Sequence, residues 1–184
     1  MNTIINILTC CGVALVISSC ASNLNSPNGT ASAPANVSSK DRAIAERVFS
    51  LINSERARVG KKAMRGHGGL NRLAQNHSNQ MGSSMSNANH MGSQNRAQYA
   101  YLRYSIENLS EMTYAVPAGS SDPAAVAVAA WKRSPEHSRH MLQTWDLTGV
   151  GVKSAANGQT YITMCMGAQP MGVPRGVQPV GWSD

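Results

Sequence analysis

Aromatic side chains are scarce in this sequence: Phe49 is its only phenylalanine, and Phe, Trp and Tyr together make up 5% of 184 residues. Leu, Ile, Val, Ala and the ten methionines must therefore fill most of any core. Acids are few as well, nine against sixteen Lys and Arg. The only long apolar run, from Ile4 to Ile17, is too short and too weakly flanked for a transmembrane helix. There are four cysteines, Cys10, Cys11, Cys20 and Cys165. If the first three are discarded or acylated, Cys165 remains as a lone thiol and no intramolecular disulfide can form.

The length and the 42% hydrophobic content suit one ordinary domain with flanking segments. Its charge of +7 is uneven, because residues 40–72 hold nine Lys and Arg against three acids. Such a patch suits anionic head groups or wall polymers, or is simply a solvated face; no nucleic-acid motif accompanies it, so no nucleic-acid partner is expected.

Residues 1–19 read as a signal peptide ending in Ile17-Ser18-Ser19-Cys20, which resembles the bacterial lipobox. Cleavage after Ser19 would leave Cys20 as an acylated N-terminus, a palmitate-type anchor; an uncleaved membrane anchor is the alternative. The expected location is the cell envelope, on the periplasmic face of the outer membrane in a Gram-negative cell. Residues 20–39 are rich in Ser, Asn, Ala and Pro and read as a tether, about 25 Å long on average as coil.

The ordered domain is expected over residues 40–169, with an irregular Pro/Gly-rich tail over 170–184 that carries Trp182. Ser38 or Ser39 caps a first helix with apolar positions Ile44, Val48, Leu51, Ile52 and Val59, stopped at Gly60. Leu70, Leu73, Ala74, His77 and Met81 mark a second helix with His77 on its buried stripe. Asp122-Pro123 and Ser134-Pro135 each pair an N-cap with a first-turn proline, predicting a helix to Arg133 and a short one to about Leu142. A strand is expected around Tyr104–Leu109, and Gly149–Lys153 and Thr160–Met166 flank the hairpin signal Asn157-Gly158.

Six segments in this order resemble the bacterial branch of the CAP (SCP domain) superfamily, which includes cysteine-rich secretory, antigen 5 and pathogenesis-related proteins. They are Leu51-Ile52-Asn53-Ser54-Glu55-Arg56 ("LxNxxR"), Ala74-Gln75-Asn76-His77-Ser78-Asn79-Gln80-Met81 ("AxxHSxxM"), Asn89-His90 ("SH"), Ile106-Glu107-Asn108 ("GEN"), Trp131 to Leu142 ("WxxSPxHRxxML") and Gly149-Val150-Gly151-Val152 ("GVGV"). The match spans roughly residues 44–169. The resemblance implies an α+β fold, an α-β-α sandwich around a small central antiparallel sheet, and a cleft where His90, Glu107 and His137 converge. The fourth cleft residue of animal and plant members, a glutamate, is Ser134 here, and the "GEN" glycine is Ile106.

Two imidazoles and a carboxylate form the donor set of an open Zn²⁺ site. A buried polar network and metal-free acid–base chemistry are the alternatives. The expected activity is binding of a lipid, peptide or cell-wall ligand. One alternative is hydrolysis of peptide or peptidoglycan bonds in the same cleft, with His90, Glu107 and His137 catalytic. Another is a surface interaction protein using the basic first helix through Arg56, Arg58, Lys61 and Lys62. Ser134 reads as an N-cap rather than a nucleophile for His137, His140 as a surface residue or support to the cleft, and His67 as a loop residue. Met81, Met85, His90 and Met91 read as core and loop filling rather than a Cu(I) cluster.

Overall fold

The computed structural model describes residues 37–169; the expected signal peptide, Cys20, most of the expected tether and the tail with Trp182 lie outside the described residues. Helix α1, Ser39–Arg58, begins at Ser38, whose hydroxyl accepts the Asp41 amide at 3.0 Å. It therefore starts one residue inside the stretch assigned to the tether. Ile44, Val48 and Ile52, each a turn apart, form its buried stripe. Strand β1, Arg65–Gly66, leads into α2, Gly68–Ser84. His67 is the N-cap of α2, its Nδ1 accepting the Leu70 amide at 3.3 Å. Burial and the charges of Arg72 and Arg65 depress the basicity of His67, which keeps that acceptor free of a proton.

Helix α3, Ser93–Tyr104, follows, then strand β2, Glu107–Val116. The strand expected around Tyr104 thus starts later and runs further, because residues 93–104 are helical. Helices α4, Pro123–Arg133, and α5, Pro135–Met141, meet at Ser134, with caps at Asp122 and Ser134 as the two Pro signals predict. Strands β3, Leu147–Ser154, and β4, Thr160–Ala168, form the hairpin, with Gly158 at φ +79° in its turn.

The sheet order is β1-β3-β4-β2. It is antiparallel except where the two-residue β1 lies parallel to β3, so the central sheet is mixed rather than purely antiparallel. One face packs on α1 and α4 through Val150, Val152, Met112, Ile162, Met164 and Trp131. The other packs on α2 through Leu147, Cys165, Leu70 and Ala74. Strand β4, buried on both faces, is the spine of this α-β-α sandwich. A side chain at Gly149 or Gly151 would collide with the main chain of α2 at Leu70–Asn71 and Ala74–Gln75, so the "GVGV" glycines let helix and strand backbones touch.

Arg56 is 1% exposed and donates to the carbonyls of Lys62, Met141, Gln143 and Trp145 at 2.8 to 3.4 Å. It ties the end of α1 to the α5–β3 connection. It is therefore no part of a basic contact face, and Arg58 is paired with Glu55 at 3.0 Å. Lys61 and Lys62 remain exposed.

Candidate functional site

The cleft is built on β2, one edge of the sheet. Glu111 stands opposite Cys165 on the α2 face, while Ser110 stands opposite Met166 on the α1–α4 face. The carboxylate of Glu111 is only 6% exposed, and four residues gather on it. Arg96 of α3 grips both oxygens, Nε to Oε2 at 2.7 Å and Nη2 to Oε1 at 2.8 Å. His90 places Nδ1 3.0 Å from Oε1, and His77 of α2 brings Nε2 to 3.8 Å. The Cys165 thiol lies 4.0 Å from Oε2. Burial pushes the Glu111 carboxyl up, but the hydrogen bonds from Arg96 and His90 and the charge of Arg96 outweigh it and hold the group below its ordinary value. Burial and this neighbouring carboxylate push the Cys165 thiol far up, so it stays protonated and inert.

The same contacts shape the loop before α3. Arg96 Nη1 donates to the Met91 carbonyl at 2.8 Å, and His77 Nε2 lies 2.8 Å from the Asn89 carbonyl. His77 thereby carries its proton on Nε2, and its buried Nδ1 has no hydrogen-bond partner among the described residues. His90 donates through Nδ1 to the Glu111 carboxylate. Across the opening, α5 supplies His137, Glu136 and His140, with His140 Nδ1 3.2 Å from the Ser110 hydroxyl. Burial lowers the basicity of His137; Glu136 opposes this, and the imidazoles of His90 and His140 reinforce it. The cavity measures about 290 Å³, and Ser93, Leu109 and Glu111 complete its lining.

His90 and His137 thus share one cavity, as expected, but Glu107 does not join them. It is exposed and lines a neighbouring cavity of about 440 Å³ with Ala97, Tyr101, Ile106, Asn108 and Leu109. The cause is a bulge: β2 fits three steps from Glu107 to Ser110 against two from Ala168 to Met166, with Asn108 at φ +52°. Residues four apart in a regular strand share a face; here Glu107 and Glu111 fall on opposite faces. Ser134 is an N-cap, its hydroxyl accepting the His137 amide at 3.4 Å, and contributes no carboxylate.

The Zn²⁺ donor set is not assembled by these residues. Glu107 is absent from the cleft, both Glu111 oxygens are held by a guanidinium, and among the described residues no group of three or more His, Cys, Asp or Glu side chains is placed to hold a metal ion. Met81 is core, whereas Met85 and Met91 are exposed.

The profile of the cysteine-rich secretory protein (CAP) family matches residues 49–166, most of the described domain. The chain belongs to the CAP family. Solved structures agree with this CAP domain in fold. An outer surface protein from Borrelia burgdorferi superposes with a TM-score of 0.58 at 17% identity, covering 72% of this chain and 95% of that one. An extracellular protein containing an SCP domain from Bacillus anthracis gives 0.56 at 17% identity, covering 74% and 45%. A cysteine-rich secretory protein from Staphylococcus aureus gives 0.54 at 13%, covering 72% and 40%. The CAP domain thus spans less than half the length of the latter two. No curated protein matches the chain significantly.

Proposed function

We propose that this CAP domain is a binding module of the bacterial cell envelope, held at a membrane by acylated Cys20, whose His90–Glu111–His137 cleft takes a polar envelope ligand. The observation that carries this reading is the fixed arrangement around Glu111. A charge-neutralised carboxylate orients His90, while His137, His140, Ser93 and Ser110 supply further donors and acceptors around a cavity open to solvent. Preorganised polar groups lining a concave site are what fixes a ligand's orientation. Export is supported by the lipobox-like Ile17-Ser18-Ser19-Cys20 and by the surface or extracellular origin of the three similar structures.

The test is co-sedimentation of the purified protein with cell-wall sacculi and, separately, with lipid vesicles. His90→Ala and His137→Ala are expected to weaken retention on one of these at least tenfold, and unchanged retention on both would overturn the reading. The anchor is tested by Cys20→Ser, which should move the protein from the membrane fraction to the soluble fraction.

One observation favours a second reading, hydrolysis of peptide or peptidoglycan bonds: the Ser110 hydroxyl lies within hydrogen-bond reach of the His140 imidazole inside the cavity. Release of soluble fragments from sacculi, lost in Ser110→Ala and His140→Ala, would support it; no release by the wild type would exclude it.

A further inference from the structure

The stretch from Arg56 to Ile106 contains no acidic residue, and it supplies the whole of α2 and α3. The layer that these helices form on one side of the sheet therefore carries cations alone. Arg96 is held by Glu111, but among the described residues Arg65, Arg72 and Arg103 are exposed and form no ion pair. The same region holds most of the exposed apolar surface. Six large hydrophobic side chains stand exposed among the described residues, and all but Val59 lie between Met85 and Leu102.

Tyr104 gathers the two features into one face. Its ring lies against the start of α2, where a side chain at Gly69 would collide with it. Arg72 Nη2 donates to its hydroxyl at 3.1 Å, with the guanidinium carbon 5.8 Å from the ring centre. The rings of His67 and Tyr99 meet it edge-on, their centroids 5.3 and 5.8 Å away. Burial, then the charges of Arg72 and Arg65, lower the basicity of His67, so both guanidiniums act on this spot. Leu102 and Arg103 stand three and four residues beyond Tyr99 and share its side of α3. Leu102 is 65% exposed and Tyr99 46%. Tyr101 lies about 160° round the helix from Tyr99 and lines the cavity that holds Glu107, which keeps that carboxylate off the face.

We infer that this face, Tyr99 and Leu102 flanked by Arg65, Arg72 and Arg103, is a membrane-contact surface that rests on an anionic lipid bilayer. None of its residues lines the cleft, so it is a second surface beyond the binding site proposed above. Each component suits a different depth of the lipid boundary: guanidiniums pair with phosphates, a tyrosine sits among the head groups, and a leucine enters the acyl margin. A soluble polyanion would use the arginines but gain nothing from Leu102. Position supports the same partner, since an acyl anchor at Cys20 would hold the domain within about 25 Å of the bilayer on average.

The test places the thiol-reactive dye acrylodan on Leu102→Cys in the full chain, and on Ser54→Cys, exposed on α1 in the opposite layer, as the control. Cys165 is buried, and wild type taken through the same labelling gives the background. Each protein is mixed with excess vesicles of phosphatidylcholine, with or without phosphatidylglycerol, and quenching by the neutral aqueous quencher acrylamide is measured. On the anionic vesicles quenching at position 102 should fall at least about threefold and that at position 54 should not change. High salt, or Arg65→Glu with Arg103→Glu, should restore it. Equal protection at both positions, protection that is the same on neutral vesicles, or none at position 102 overturns the inference. Protection by soluble inorganic polyphosphate equal to that by vesicles also overturns it, assigning the face to an anionic polymer instead. His90→Ala and His137→Ala, which test the cleft, should leave the protection within about twofold. If the protein floats with vesicles while position 102 stays open to quencher, the anchored reading survives and only the membrane-contact face falls.

Discussion

Glu111 is the residue on which the cleft depends, because it holds Arg96, His90 and, through them, the loop before α3. Glu111→Ala leaves a largely buried guanidinium without its partner and should cost about 3 kcal/mol in urea unfolding. Glu107→Ala, at an exposed position, should stay within about 0.5 kcal/mol. The carboxyl of Glu111 is held below the ordinary 4.5, so its contribution is fully present above that pH and is lost as pH falls through the depressed folded value. Wild type should accordingly lose stability below pH 4.5 more steeply than Glu111→Gln; parallel acid-unfolding profiles would contradict this. The lowered basicity of His137 has its own signature, since its imidazole should titrate below 6.5 by NMR and so be neutral at pH 7. Arg56 belongs to the same scale: Arg56→Met strips four carbonyls of their donor and should cost about 3 kcal/mol or more, whereas Arg58→Ala at the exposed Glu55 pair should cost under about 1 kcal/mol.

At the scale of elements, α2 and β3 approach backbone to backbone at Gly149 and Gly151. Gly151→Ala must force the α2 backbone away from the sheet, with an expected loss of about 1–3 kcal/mol in urea unfolding. These elements were legible in the sequence because their signals are local. Ser38, Asp122 and Ser134 cap helices, and the apolar stripes repeat at helical spacing. Helix α3 was not legible, because its polar sequence buries only Ala100 and its position is set by Arg96 gripping a distant strand. The bulge in β2 was equally hidden: one extra residue turns Glu107 out of the cleft, and that count appears only when β2 is laid against β4. His90 and His137 were found through family motifs, whereas Glu111 lies four residues beyond Glu107, the carboxylate of the motif that should have supplied it.

At the scale of the whole molecule, the sandwich carries its polar cleft at the β2 side of the sheet, between α3 and α5. The basic charge counted along residues 40–72 does not form one free patch, since Arg56 is buried and Arg47 and Arg58 are paired with Asp122 and Glu55. The cleft is therefore the better candidate for recognition than the first helix. Charge reversal at Lys61 and Lys62 should leave sacculus and vesicle retention within about twofold. The most direct measurement is retention of Glu111→Ala and Glu107→Ala, side by side with wild type, on the envelope fraction that wild type binds, at a temperature where all three are folded. Retention weakened at least tenfold by Glu111→Ala and within about twofold for Glu107→Ala is the expected result; the reverse order would contradict the account of the cleft.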